Sequence, residues 1–366
     1  MRKKLVIIVY ILLSCLALYS VIAYRKEISD SVFSSINYGI YVLIPSLFPM
    51  IFVSSFISFS KASEFLSFVF SFVCRKFFRL PSCCVCAIIF GICCGYPVGA
   101  KLTASLLEQK KINSEQANRL LCFCVNAGIP FAVIFVGCGI FSSLKMGMFI
   151  FVSNTIASII IGFVLGIRKD VPKKEQEKRN AFTFDECISL SAKSSLLATV
   201  NLCLYVIIFS CFIEVLKVSG VFELIINNFF KVSVYSKSEL TGLLSFFFDV
   251  VSGANSSETL GLSSNIYILG LSFAGLCVHF QIFSFFKAKT IKFFGFYFSR
   301  FANSCLSYEI FQILKEIFPT EISVFSSTDN LIPKISQNGF PLTFCLILLV
   351  CTYIFSNKRL EKTEKM

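Results

Sequence analysis

Asp249 follows three phenylalanines and precedes two valines, an aspartate set inside an apolar run. A carboxyl at the centre of a bilayer costs about 2.5–3.5 kcal/mol on insertion scales, so it needs a reason to be there. It can bind a cation or a proton, or it can cap the N-terminus of an adjacent helix. Ser252 and Gly253 follow closely, and Glu258 lies farther along, where solvation in a loop explains it as well as function does. Asn126 stands before Gly128 and Pro130, with a donor and an acceptor where a helix must break. Its plainer role is to cap the half-helix that follows. His279 and Gln281 fall in the apolar stretch 266–286, as ligands or, for the histidine, as packing. Arg300 and Glu309 share one span but lie more than two turns apart, too far to pair. Both are expected to face protein, unless the arginine reaches the interface.

Metal and hydrolytic chemistry fit poorly. Cys84 and Cys86, like Cys122 and Cys124, have one intervening residue, and a single histidine completes no common zinc set. The 17 cysteines lie mostly in apolar runs, where thiols behave as small hydrophobes. An aspartyl protease needs two apposed carboxyls, yet Asp30, Asp170, Asp185 and Asp329 lie in polar segments. Ser252 lacks the glycine two residues earlier that a nucleophile turn wants. Neither an enzyme nor a cofactor is expected.

The elements that must position these groups are membrane helices. The chain has 366 residues, 56% of them hydrophobic, and a mean hydropathy of +0.79. Several apolar runs approach the roughly 20 residues that cross hydrocarbon. A net charge of +13 suggests nucleic acid, but the basic residues sit in short loops between apolar runs. That is the pattern of charges kept on the cytoplasmic side, so the partner is the lipid bilayer and no nucleic acid is expected.

Residues 91–101, GICCGYPVGAK, interrupt one apolar run with three glycines and a proline. Inside a bilayer such backbone survives only where protein or a watery cavity covers it. The stretch reads as the tip of a helical hairpin, or a broken helix, at a binding site. Gly95, Tyr96, Pro97, Gly99 and Lys101 are the candidates there. Lys101 could meet an anion or a lipid headgroup, although positive-inside bias explains it equally well.

Taken in order, residues 5–24 are a retained first helix, with a small-residue cleavage site at Ala23 as the other option. Residues 25–38 form a surface helix and 39–59 a span broken by Pro45 and Pro49. An interfacial helix at 61–80, the hairpin and a span interrupted at 126–130 follow, and 146–167 returns inside. Six basic residues then crowd the loop 168–184. Residues 185–195 are polar, 196–216 a span, 217–240 an amphipathic connector and 243–260 a second broken run. Residues 266–286 and 296–317 cross, with a basic loop at 287–292 between them. A polar loop, a last span at 340–355 and a tail with Lys358 and Arg359 complete the chain.

The expected fold is all-α: a polytopic membrane protein of about eight transmembrane helices plus two re-entrant hairpins in an inverted repeat. Residues 53–57 match 209–213 at a spacing of 156, Gly99-Ala100 matches Gly253-Ala254 at 154, and Ala127-Gly128 matches Ala274-Gly275 at 147. The divisions are 1–36, a first repeat at 37–167, the basic loop 168–184, a second repeat at 185–317, and 318–366. Paired, interrupted segments of this kind point to a midplane substrate site, where Asp249 and Asn126 would meet.

GYPVGAK at 95–101, Asn126-Ala-Gly128 and Val278-His-Phe-Gln281 resemble the YlbJ family of sporulation integral membrane proteins, within the wider nucleoside-recognition or Gate-domain group. The resemblance covers roughly 35–316. It implies a role in endospore formation around cortex and coat assembly, in a spore-forming Firmicute, and distant kinship with concentrative nucleoside transporters. The departure is Asp249-Val-Val-Ser-Gly253, a loose form of the acidic-to-glycine element expected there. The expected function is a transporter- or permease-like protein for a small molecule, with a coupling cation as an option. The alternative is a structural or partner-binding membrane component, favoured by the few polar side chains at the first tip. A homo-oligomer or sporulation partners fit either reading.

Overall fold

A computed structural model describes residues 2–167, 169–172, 183–231, 233–286 and 292–318. Most of the expected basic loop 168–184, most of the one expected at 287–292, and the loop, last span and tail expected beyond 318 lie outside the described residues.

The described chain is all-helical. Its first half comprises α1 (Arg2–Ala23), α2 (Arg25–Tyr38), α3 (Ile44–Phe59), α4 (Ala62–Lys76), α5 (Val85–Cys94), α6 (Tyr96–Glu108), α7 (Ser114–Cys124) and α8 (Leu144–Gly166). π-Helical turns at Gly39–Leu43 and Pro130–Ile140 join α2 to α3 and precede α8. The second half comprises α9 (Phe184–Val218), α10 (Val221–Phe230), α11 (Lys237–Phe248), α12 (Val250–Thr259), α13 (Ser264–Phe273), α14 (Gly275–Ser284) and α15 (Phe293–Ile317).

Polar ends start the helices where the sequence supplies capping boxes, at Asn113 with Gln116, Thr183 with Glu186 and Ser236 with Glu239. The second of these changes the reading of 185–195. With a box at its start and no Gly or Pro behind it, the polar stretch is the first third of one 35-residue helix. Its serines Ser191 and Ser195 are fully buried, on one stripe with Ala198, Leu202 and Val206. Likewise 25–38 is not a separate surface element, because the π turn carries the helix on from Arg25 to Phe59. That turn lies just before Pro45, which lacks an N–H, so the register shift falls where the ladder is interrupted anyway.

Among the described residues, four helices are long and apolar enough to cross a bilayer: Arg25–Phe59, Leu144–Gly166, Phe184–Val218 and Ser264–Ser284. Their outer faces expose Ile159, Phe163, Leu196, Leu204 and Ile208, while Arg300, Asn303 and Ser158 are fully buried. This inverted distribution suits lipid and would be untenable over so large a surface in water. The long helices pair antiparallel. Ser31 meets Ser210 at 2.7 Å and Phe56 meets Phe184, so α2–α3 runs against α9. Phe149 meets Phe318 at the far end of the pair formed by α8 and α15.

Basic residues gather at one end. Arg75 donates to Pro172 O at 2.7 Å, Arg79 to Lys169 O at 3.0 Å, and Arg119 to Phe78 O. Lys169 pairs with Glu115, and its ammonium holds that exposed carboxyl below the ordinary value. This clustering of basic groups is the charge pattern that the positive-inside rule describes.

Candidate functional site

Between the long helices lie two pairs of helices too short to cross. α5 and α6 have 10 and 13 residues, α11 and α12 have 12 and 10. At 1.5 Å per residue each is about 15–20 Å long, against about 30 Å of hydrocarbon. The first pair turns at Gly95, whose φ of +111° and ψ of 177° only glycine adopts without strain. Pro97 follows in the first turn of α6, where its missing N–H costs nothing. The second pair turns at Asp249, extended at φ −148° and capping α12. Its Oδ2 accepts from Ser252 N at 2.8 Å and Ser252 Oγ at 2.9 Å, and the Cys277 thiol donates to the same carboxyl.

Each tip touches a helix break. A Cβ on Gly128 would lie 2.5 Å from Gly95 N, and one on Gly275 would lie 2.8 Å from Phe246 O and 3.4 Å from the Asp249 Cα. Gly128→Ala is therefore expected to cost about 1–3 kcal/mol or more, because backbone stands on the other side. Gly139→Ala, with only Ile134 O at 3.7 Å, should be close to neutral. Thermal melting of both variants in detergent checks the contrast, and equal melting would contradict the contact.

A broken helix leaves carbonyls orphaned at its C-terminal end, and in a membrane these must find partners. At α7, Arg300 donates to Cys122 O and Val125 O, and Asn126 Nδ2 donates to Phe123 O at 3.0 Å. At α13, Tyr96 Oη donates to Leu271 O at 2.6 Å, Asn303 to Ser272 O at 3.4 Å and Ser304 to Leu269 O at 2.8 Å. His279 Nε2 meets Phe273 O at 3.0 Å with its proton on that nitrogen. Arg300, Asn303 and Ser304 share one face of α15 and so serve both breaks. Asn126 Oδ1 and Asn303 Oδ1 lie 2.6 and 2.9 Å from the Ser158 hydroxyl, and Asn303 Nδ2 donates to Asn154 Oδ1 at 2.6 Å.

The N-termini of α6 and α12 and the C-terminal end of α5 meet at one cavity. Gly95, Tyr96 and Pro97 line it from the first tip, Asp249, Val250 and Val251 from the second. Gly128 comes from the first break, and Cys277, Val278 and Gln281 from α14. Leucines and valines of α9 and the α2–α3 helix close the wall. About 50 Å³ is open to water centres, where one water needs about 10–15 Å³. That is room for a few waters or a small solute.

No protein-family profile matches the chain. A 142-residue stretch is 28% identical to the sporulation integral membrane protein YlbJ of Bacillus subtilis (strain 168). It covers 39% of this chain and 34% of that protein, so the match spans about a third of the relative's length.

The structure thus brings together Gly95, Tyr96, Pro97, Gly128, Asp249 and Gln281. Others lie off the cavity. Gly99 packs against α7, and Lys101 donates to Ser55 Oγ at 3.3 Å. Asn126 points into the Arg300 cluster, not toward Asp249, so the expected meeting of the two side chains does not occur. Ser252 holds Asp249, Gly253 receives the Phe246 ring, and Glu258 is half-buried along α12. His279 packs among Phe273, Phe296 and Tyr297. Arg300 is fully buried and does not reach the interface, whereas Glu309 is exposed instead of facing protein. Asn154, Ser158, Asn303 and Ser304 went unnoticed. Their signal was polar residues at helical spacing in apolar runs, i to i+4 in α8 and i to i+3 and i+4 from Arg300 in α15.

Proposed function

We propose that this chain is a transporter- or permease-like membrane protein of endospore formation, acting at the cortex and coat stage in a forespore or mother-cell membrane. One observation carries the reading: two half-length hairpins, each backed by a helix break, meet across a cavity that holds an unpaired carboxyl. Among the described residues Asp249 forms no ion pair. Broken helices at a shared cavity are the construction by which transporters hold substrate at the midplane. The antiparallel pairing of the long helices and the placement of the matched residues support an inverted repeat of about eight spans with two re-entrant hairpins. Residues 53–57 and 209–213 fall on the antiparallel α3 and α9, Gly99 and Gly253 on return arms, and Gly128 and Gly275 at breaks. The sporulation role is supported by the name of the Bacillus relative and by the GYPVGAK motif.

A structural or partner-binding role is the second reading. It is favoured by the apolar wall and by the Tyr96 hydroxyl, the polar group of the first tip, which is already committed to Leu271 O.

Uptake of nucleosides, dipicolinate and cell-wall precursors into proteoliposomes separates the two. Transport predicts uptake of at least one, and its loss in Asp249→Asn at unchanged protein level. In cells, Asp249→Asn should accumulate normally, since asparagine also caps helices, while sporulation per molecule falls. A fully active Asp249→Asn would count against the site.

A further inference from the structure

The geometry points to a proton as the coupling ion of the central cavity, carried by Asp249; the inference rests on the transporter reading above. The oxygen inventory of the wall decides between a proton and a metal cation. Hard metal cations take about six or more oxygen ligands. Broken helices usually offer carbonyls for this purpose. Here the carbonyls at the α7 and α13 breaks are engaged by the protein's own donors: Leu271 O by Tyr96, Ser272 O by Asn303, Phe273 O by His279, and Cys122 O and Val125 O by Arg300, while at the tips Gly95 O and Asp249 O accept from Val98 N and Gly253 N. The side-chain oxygens left in the wall belong to Asp249 and Gln281, among leucines and valines. Gln281 is 2% exposed and lines the cavity from α14. No group of three or more His, Cys, Asp or Glu among the described residues is placed to hold a metal. A proton needs one oxygen.

The surroundings of Asp249 suit reversible protonation. The Ser252 N–H and hydroxyl, the Cys277 thiol and the N-terminus of α12 stabilise the carboxylate. The apolar wall and the lack of an ion-pair partner favour the neutral acid. The titratable groups around it are Cys277 from α14, Tyr38 from the end of α2, and Cys94 and Tyr96 from the facing tip. Tyr267 of α13 is bonded to Ala254 O, and Glu258 lies along α12 itself. α9 presents Leu202 and Val206, which carry no charge. Once Asp249 takes a proton, no charged side chain remains in the wall, and the tips can close on the chamber without sealing in a bare charge.

Infrared difference spectra of the purified full-length protein in liposomes, between acidic and alkaline pH, test this directly. The expected result is a carbonyl-stretch band from a buried carboxylic acid, lost in Asp249→Asn and retained in Glu258→Gln. In Ser252→Ala the band should titrate at higher pH, because the anion has lost a donor. Sodium and potassium chloride should leave it unchanged. A band that survives Asp249→Asn, or one that sodium or potassium abolishes, would overturn the proton site. The spectra need no substrate, so a failed uptake panel with the band present would reject transport and leave the proton site standing.

Discussion

Arg300→Leu is expected to lower stability by about 2–6 kcal/mol, from two backbone carbonyls left unsatisfied at about 1–3 kcal/mol each. The guanidinium is fully buried and among the described residues has no carboxylate partner, which in isolation is a costly arrangement. What offsets it is the negative end of α7, where Cys122 O and Val125 O both accept from its two terminal nitrogens. Leucine fills similar space but leaves those carbonyls in an apolar interior with no water to turn to. Arg300→Lys keeps the charge yet presents a point donor where a planar fork spans two acceptors, so its loss should be intermediate. Asn126 shares the cluster, with its Oδ1 3.4 Å from Arg300 Nη1, so Asn126→Ala and Arg300→Leu should combine non-additively. Buried Cys122 and Cys124 beside the break make melting followed with a thiol-reactive dye a sensitive measurement. An Arg300→Leu protein that melts with the parent would show that burying the cation costs as much as the carbonyls gain.

This network also marks where sequence reasoning stopped. The breaks were legible because glycine and proline carry their conformational consequences with them: Gly95 at the tip, and Gly128 with Pro130 at the interruption. The hairpin pair and the order of elements followed from those marks and from apolar run lengths. The partners of Arg300, Asn303 and Ser304 were not legible, because they are main-chain carbonyls of α7 and α13, and no side-chain pattern encodes a carbonyl. For the same reason Asn126 was placed at the right break but turned toward the wrong neighbour. Asp249 was given two readings, ligand or cap, and the structure shows that they are compatible: it caps α12 and lines the cavity at once. The polar start of α9 reads as a stretch separate from the span because a row of serines carries no sign of the partner helix that covers it. Burial of Ser191 and Ser195 is a tertiary fact.

Gly99→Leu should all but abolish accumulation of the protein, while Val98→Leu should cost about 1–3 kcal/mol, the ordinary range for overpacking. The two residues are neighbours on α6 and both are buried, so burial alone predicts no such difference. The difference lies in what each faces. A Cβ on Gly99 would collide with Cys124 O and stand 3.0 Å from the Gly91 Cα, and one on Gly91 would collide with the same oxygen and stand 2.8 Å from the Gly99 Cα. Three backbones, α5, α6 and α7, therefore cross with nothing between them. A side chain added there meets main chain on every side, and main chain cannot rotate out of the way. Separating α5 from α6 would also carry the Gly95 tip off Gly128 and open the cavity. Even Gly99→Ala should be severe, and Gly91→Ala should reproduce it from the opposite helix, which distinguishes a shared crossing from a local defect in α6. Membrane protein level and sporulation efficiency of the four variants are the measurements. Equal accumulation of Gly99→Leu and Val98→Leu would mean that the three helices do not cross at these glycines.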